Sequence, residues 1–204
     1  MMDYAARVEE ADTYPKLLRL NAREFGHEIA LREKDLGLWK PFTWNDYQTR
    51  VRDFALGMIE LGLERGDVIG IIGDNRPDWV AAEIASHAIG ALSLGLYRDV
   101  LDEEAAYLLN YGEAKLVFAE DEEQVDKLLG LADRAPALKH IVYSDPRGLR
   151  KYDDPRLMSA GQLVKMGRER QAREPALYDS LVDATKGEDV AILCTTSGLS
   201  LIHI

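Results

Sequence analysis

Thr195, Thr196, Ser197 and Gly198 stand directly after the apolar run Val190, Ala191, Ile192, Leu193 and Cys194. Three hydroxyls and a glycine in a tight turn can surround phosphate oxygens with O–H and backbone N–H donors, and glycine allows close backbone approach. The same residues also suit an ordinary turn after a strand, and the local sequence alone favours that plainer reading. Two more polar corners follow apolar runs. Gly73, Asp74, Asn75, Arg76, Pro77, Asp78 and Trp79 come after 68–72, and Tyr97, Arg98 and Asp99 come after 92–96. Asn75 or Arg76 would meet a ligand at the carboxyl end of a strand, where open α/β sheets bind. Asn, Asp and Pro equally build a capped strand-to-helix corner, with Trp79 packing back on the sheet. Tyr97 and Arg98 read either as pocket lining or as surface loop.

Metal and nucleophile chemistry find little support. His27, His87, His140 and His203 are not spaced as ligand pairs. His87 reads as a satisfied, partly buried imidazole. The acids Glu120, Asp121, Glu122 and Glu123 read as a helix N-terminus, where they complement the dipole. The only cysteine, Cys194, reads as a small buried hydrophobe.

The elements that must position these corners follow from hydrophobic periodicity. A helix runs from a cap at Thr13 to Gly26, with Leu17, Leu18, Ala22 and Phe25 on one face. Short strands at 29–33 and 39–42 flank a turn at Leu36 and Gly37. Thr43 caps a long helix striped by Tyr47, Val51, Phe54, Met58 and Leu61 and closed by Gly62. From 68 onward, apolar strands at 68–72, 92–96, 116–119 and 140–143 alternate with helices at 77–89, 102–111 and 122–134. Alternation of this kind predicts an α/β fold, a mostly parallel sheet with flanking helices. Residues 145–186 are polar and read as short helices on a surface excursion, before 190–194 returns to the core.

The chain has 204 residues, 47% of them hydrophobic, and a formal net charge of −11. Such an acidic chain excludes nucleic acid as its partner, since phosphate backbones are held by Lys and Arg. One cysteine excludes a disulfide framework and points to a reducing, cytoplasmic compartment. The N-terminus lacks a signal-peptide pattern, and no apolar run spans a bilayer; contact with a membrane surface stays open.

Taken in order, these segments resemble the AMP-forming adenylating enzymes, and among them the acyl-CoA synthetases. The resemblance rests on Thr43, Trp44 and Tyr47 at a helix start, and on the run from Leu61 and Gly62 to Gly66, Asp67 and Val68. It continues through Asn75, Arg76, Pro77 and Trp79, then Gly90, Ala91, Leu96 and Tyr97, and ends with Thr195, Thr196, Ser197 and Gly198. Residues 145–186 and the turn after Cys194 look most like the long-chain fatty-acid branch. The resemblance implies that a fatty-acid carboxylate attacks the α-phosphate of ATP with Mg²⁺ present, and that coenzyme A then displaces AMP from the acyl-adenylate. It also implies that Thr195, Thr196, Ser197 and Gly198 belong to the cofactor-binding loop, with Thr196, Ser197 and Gly198 on the β and γ phosphates. It assigns no catalytic residue to this stretch.

After Gly198 the family pattern continues with threonine, another hydroxyl residue and glycine, whereas this chain has Leu199, Ser200, Leu201, Ile202, His203 and Ile204. These six residues resemble an in-frame translation of a transposon end used in sequencing adapters. The expectation is therefore that 1–198 is the N-terminal portion of an adenylation domain, catalytically incompetent alone, and 199–204 a non-native tail. The alternatives are a stand-alone, non-catalytic α/β binding module and a ligase for aryl or amino acids.

Overall fold

In a computed structural model, which describes residues 4–194, two helices α1 (Tyr4–Glu10) and α2 (Tyr14–Phe25) lead into a hairpin of β1 (Ile29–Asp35) and β2 (Leu38–Thr43). Leu36 and Gly37 both have positive φ, 47° and 83°, as a two-residue turn between twisted strands requires. Thr43 then caps α3 (Trp44–Glu60) in a capping box: its side chain accepts from the Asp46 amide while Asp46 accepts from the Thr43 amide.

The main sheet follows in alternation. β3 (Val68–Ile72), α4 (Pro77–Ala88), β4 (Leu92–Leu96), α5 (Asp102–Tyr111), β5 (Leu116–Ala119), α6 (Glu122–Gly130) and β6 (His140–Tyr143) are joined by β7 (Leu157–Ser159), α7 (Ala160–Arg173), α8 (Leu177–Asp183) and β8 (Ile192–Leu193). The strand order is β7-β6-β5-β3-β4-β8, and every neighbouring pair is parallel. All five residues of β3 are buried, as its continuous apolar run demands.

Side chains alternate between two cores. Ile69, Ile71, Leu116 and Phe118 face α3, α4 and α7, while Val68, Ile72, Val117 and Ala119 face α5 and α6. The connecting helix changes face whenever the strand order reverses: α4 covers one face on the way to β4, and α5 and α6 the other on the way back to β5 and β6. A crossover of fixed hand requires that switch. The helices that follow β3 and β5 therefore lie on opposite faces of the sheet.

Residues 145–186 are not the surface excursion that their polarity suggests. Leu157, Met158 and Ser159 add a parallel strand beside β6. Ser159 and Gln162 then form a second capping box, and α7 buries Leu163 and Val164 against α3. Its arginines are anchored to α3: Arg168 donates to Asp53 at 2.8 Å, and Arg170 and Arg173 reach Glu60. Among the described residues, no helix is long and apolar enough to cross a membrane.

The two helices meet at glycines. A Cβ on Gly57 would lie 2.6 Å from the Leu163 carbonyl oxygen, and one on Gly167 would lie 1.8 Å from that of Asp53. In an open helix, Gly→Ala gains up to about 1 kcal/mol. Here the backbone contact reverses the sign: Gly167→Ala is expected to destabilise by about 2–3 kcal/mol in urea unfolding, as overpacking does. A neutral or stabilising result would refute this close contact.

Candidate nucleotide-binding edge of the sheet

Because the strands are parallel, the corners after β3, β4, β5 and β6 emerge along one edge. There the two polar corners found in the sequence meet. Arg76 donates from Nε to Glu120 Oε1 at 2.6 Å and from Nη1 to Glu33 Oε1 at 2.9 Å, joining the hairpin to the end of β5. The Asp74 amide donates to Glu120 Oε2 at 2.6 Å. Glu120 and then Glu33 hold the Arg76 guanidinium well above its ordinary pKa. Gly73 sits at φ 146° with Glu120 so near that a Cβ would be 2.6 Å from that of Glu120. Arg98 likewise reaches Asp74 at 3.1 Å and Asp121 at 3.2 Å. Trp79 lies over Gly95 of β4, as the corner reading requires. Arg76 and Arg98 are thus engaged as ties between strand ends, and Tyr97 stands 66% exposed.

Beside this edge, a cleft of about 850 Å³ lies between the hairpin, α3, the start of α4 and the ends of β5 and β6. Its charges are matched. Arg50 forks onto Asp78 at 2.8 and 2.7 Å and lies 4.6 Å over the Phe54 ring. Arg168 is on Asp53 and Arg147 on Asp145. Each arginine of the cleft therefore already has a carboxylate, which disfavours a triphosphate there. The acidic run 120–123 is a helix start, with Asp121 accepting from the Gln124 amide at 3.3 Å. Among the described residues, no group of three metal-ligating side chains forms.

β8 occupies the outer position beside β4, pairing Ile192 with Ser93 and Leu193 with Leu94. In this chain Val190 is 61% and Ile192 44% exposed, and Cys194, expected to be a small buried hydrophobe, is exposed as well. Thr195, Thr196, Ser197 and Gly198 lie outside the described residues; the described chain reaches Cys194 on the carboxyl side of β8, the side on which Arg98 follows β4.

Behind β8 lies a buried polar relay that sequence reading missed. His87, 5% exposed, places Nε2 3.1 Å from Ser93 Oγ, which donates toward the Ala191 carbonyl at 3.4 Å and also bonds Glu83. Burial pushes His87 down to about 4 and pushes Glu83 up. His87 is more deeply buried than expected, with Tyr14 stacked 6.2 Å away and no hydrogen-bond partner at Nδ1. The sequence signal was a histidine and a serine, His87 and Ser93, at the ends of a helix and a strand that the crossover brings together.

A profile of the AMP-binding enzyme family matches residues 18–198. The chain belongs to the AMP-binding enzyme family. Among curated relatives, this AMP-binding chain is 27% identical over 200 residues to the long-chain-fatty-acid–CoA ligase ACSBG2 of Xenopus laevis, covering 94% of this chain and 26% of that protein. It is 29% identical over 162 residues to the long-chain-fatty-acid–CoA ligase FadD15 of Mycobacterium tuberculosis, covering 79% and 25%. It spans about a quarter of the length of these relatives. Among solved structures, the anthranilate CoA ligase AuaEII in complex with anthranoyl-AMP superposes with a TM-score of 0.65 at 17% identity, over 74% of this chain and 27% of that one. The luciferase-like enzyme of the mealworm Zophobas morio gives 0.63 at 19%, over 74% and 33%. These likenesses confirm the fold.

The His87 environment predicts an acid sensitivity. Its folded pKa, about 4, lies below the ordinary 6.5, so the unfolded chain binds the extra proton between those values. The His87 contribution is complete above 6.5 and is lost as pH falls toward 4; Glu83, shifted upward by burial, opposes it. Between about pH 7 and about pH 4.5, wild type should lose about 2 kcal/mol more than His87→Gln in chemical unfolding. Equal losses would refute the buried neutral imidazole.

Proposed function

We propose that the chain is the N-terminal portion of an ATP-dependent acyl-CoA synthetase that activates a fatty acid, with a long-chain acid as substrate. The observation that carries this reading is that the curated relatives, aligned over most of the chain, are described as long-chain-fatty-acid–CoA ligases. Thr195, Thr196, Ser197 and Gly198 are proposed to hold nucleotide phosphates through hydroxyls and backbone N–H groups. The residues of the cleft and of the strand ends do not fit that task, because their cations are already paired. Nor do the described residues offer a ready Mg²⁺ site, so the ion would arrive on the nucleotide's own phosphates. The chain alone is proposed not to turn over, since it corresponds to only about a quarter of its relatives. The acid and coenzyme A sites are assigned to the remainder of the parent enzyme.

Incubation with ATP, Mg²⁺, coenzyme A and palmitate is expected to give palmitoyl-CoA from a full-length parent and none from this chain. In that parent, Ser197→Ala or Thr196→Ala is expected to raise KM for ATP about tenfold, the worth of one hydrogen bond to a charged group. Preference for an aryl acid or an amino acid over palmitate would replace the fatty-acid assignment. Turnover by this chain alone would refute the claim of incompetence.

A further inference from the structure

We infer that residues 184–191 form a clamped lead-in that sets where β8 lies, and that Arg65, Asp12, Thr13 and Ser93 are its positioning residues. The clamp gives a purpose to the proposed phosphate turn after Cys194, and only in that purpose does it rest on that reading.

The need for a clamp follows from how little holds β8 otherwise. Among the described residues it is two residues long and pairs with β4 alone. Two ladder residues are a weak anchor for an edge strand.

Three separate parts of the chain converge on the segment just before it. From the turn after α3, Arg65 donates through Nη1 to Asp189 at 2.8 Å and through Nη2 to the Ala184 carbonyl at 2.6 Å. One guanidinium thus ties both ends of the 184–189 bend, a fork that a lysine cannot reproduce. Gly90, at φ 74°, leaves room for that guanidinium, for a Cβ there would lie 3.0 Å from Arg65 Cζ. From the start of the chain, Asp12 accepts from the Gly187 amide at 3.1 Å. Thr13 lies 2.8 Å from the Thr185 hydroxyl. Thr185 donates its own proton to the Val182 carbonyl at 2.7 Å, so Thr13 is the donor of that pair. Thr13 makes no side-chain cap on α2, although its position suits one; its hydroxyl serves the lead-in instead. Finally, Ser93 grips Ala191 by its amide at 2.9 Å and by its hydroxyl, with His87 behind it.

Hydrogen exchange of this chain, read by mass spectrometry, tests the clamp without any nucleotide. Arg65→Ala is a surface change that leaves both cores intact. It is expected to speed exchange across 184–194 about fivefold, while peptides covering 68–72 and 116–119 stay within about twofold of wild type. Ser93→Ala should act on 191–194, and Asp12→Ala with Thr13→Ala on 184–189. Arg65→Lys should recover only part of the protection. Acceleration spread evenly over all peptides, or none in 184–194, overturns the inference. Titration with inorganic pyrophosphate, followed by phosphorus NMR, separates it from the phosphate reading. An intact exchange contrast without pyrophosphate binding upholds the clamp and removes that reading. Pyrophosphate binding with Arg65→Ala exchanging like wild type overturns the clamp alone.

Discussion

β3 shares its backbone hydrogen bonds with β4 on one side and β5 on the other, and divides its side chains between two helical layers. A five-residue strand under that constraint has to be apolar throughout, and its neighbours have to be reached by crossovers of one hand. The reversal of strand order around β3 and the gathering of polar corners at one edge both descend from it. So does the place of β8, which is left to close the sheet beyond β4 because the inner positions are taken.

The electrostatics of that edge run against a simple picture of a cationic nucleotide site. In a chain of net charge −11, the arginines are the scarcer partner, and the edge uses them to join strand ends to one another. Arg76 spans the hairpin and β5; Arg98 spans the corners after β3 and β5. Exposed pairs of this kind each contribute little to stability. Their effect is geometric: they tie the strand ends to one another.

Much of this was legible in the residues. The strands at 68–72, 92–96, 116–119 and 140–143 stand where the apolar runs put them, because a strand buried on both faces has no alternative pattern. The cap at Thr43 and the helix start among the acids 120–123 were readable for the same local reason. The region 145–186 was misjudged because its composition is polar, while its contribution lies in spacing: Leu163, Val164 and Gly167 form one narrow face among arginines and glutamates. A Ser-x-x-Gln capping box at Ser159 and Gln162 was the available signal. The exposure of Cys194 was not legible, since an apolar run of five does not say on how many sides it is covered. Nor was the relay of His87 and Ser93, whose contact exists only once the crossover has been made.

The ties between the start of the chain and the lead-in to β8 have a consequence in time. Asp12 and Thr13 find their partners 175 and 172 residues later. At a synthesis rate of roughly 5–20 residues per second, those partners emerge some 10–35 s after the residues that await them. Through that interval the strands from β3 to β7 can assemble, and the residues before α2 are tied to the lead-in of β8 only afterwards.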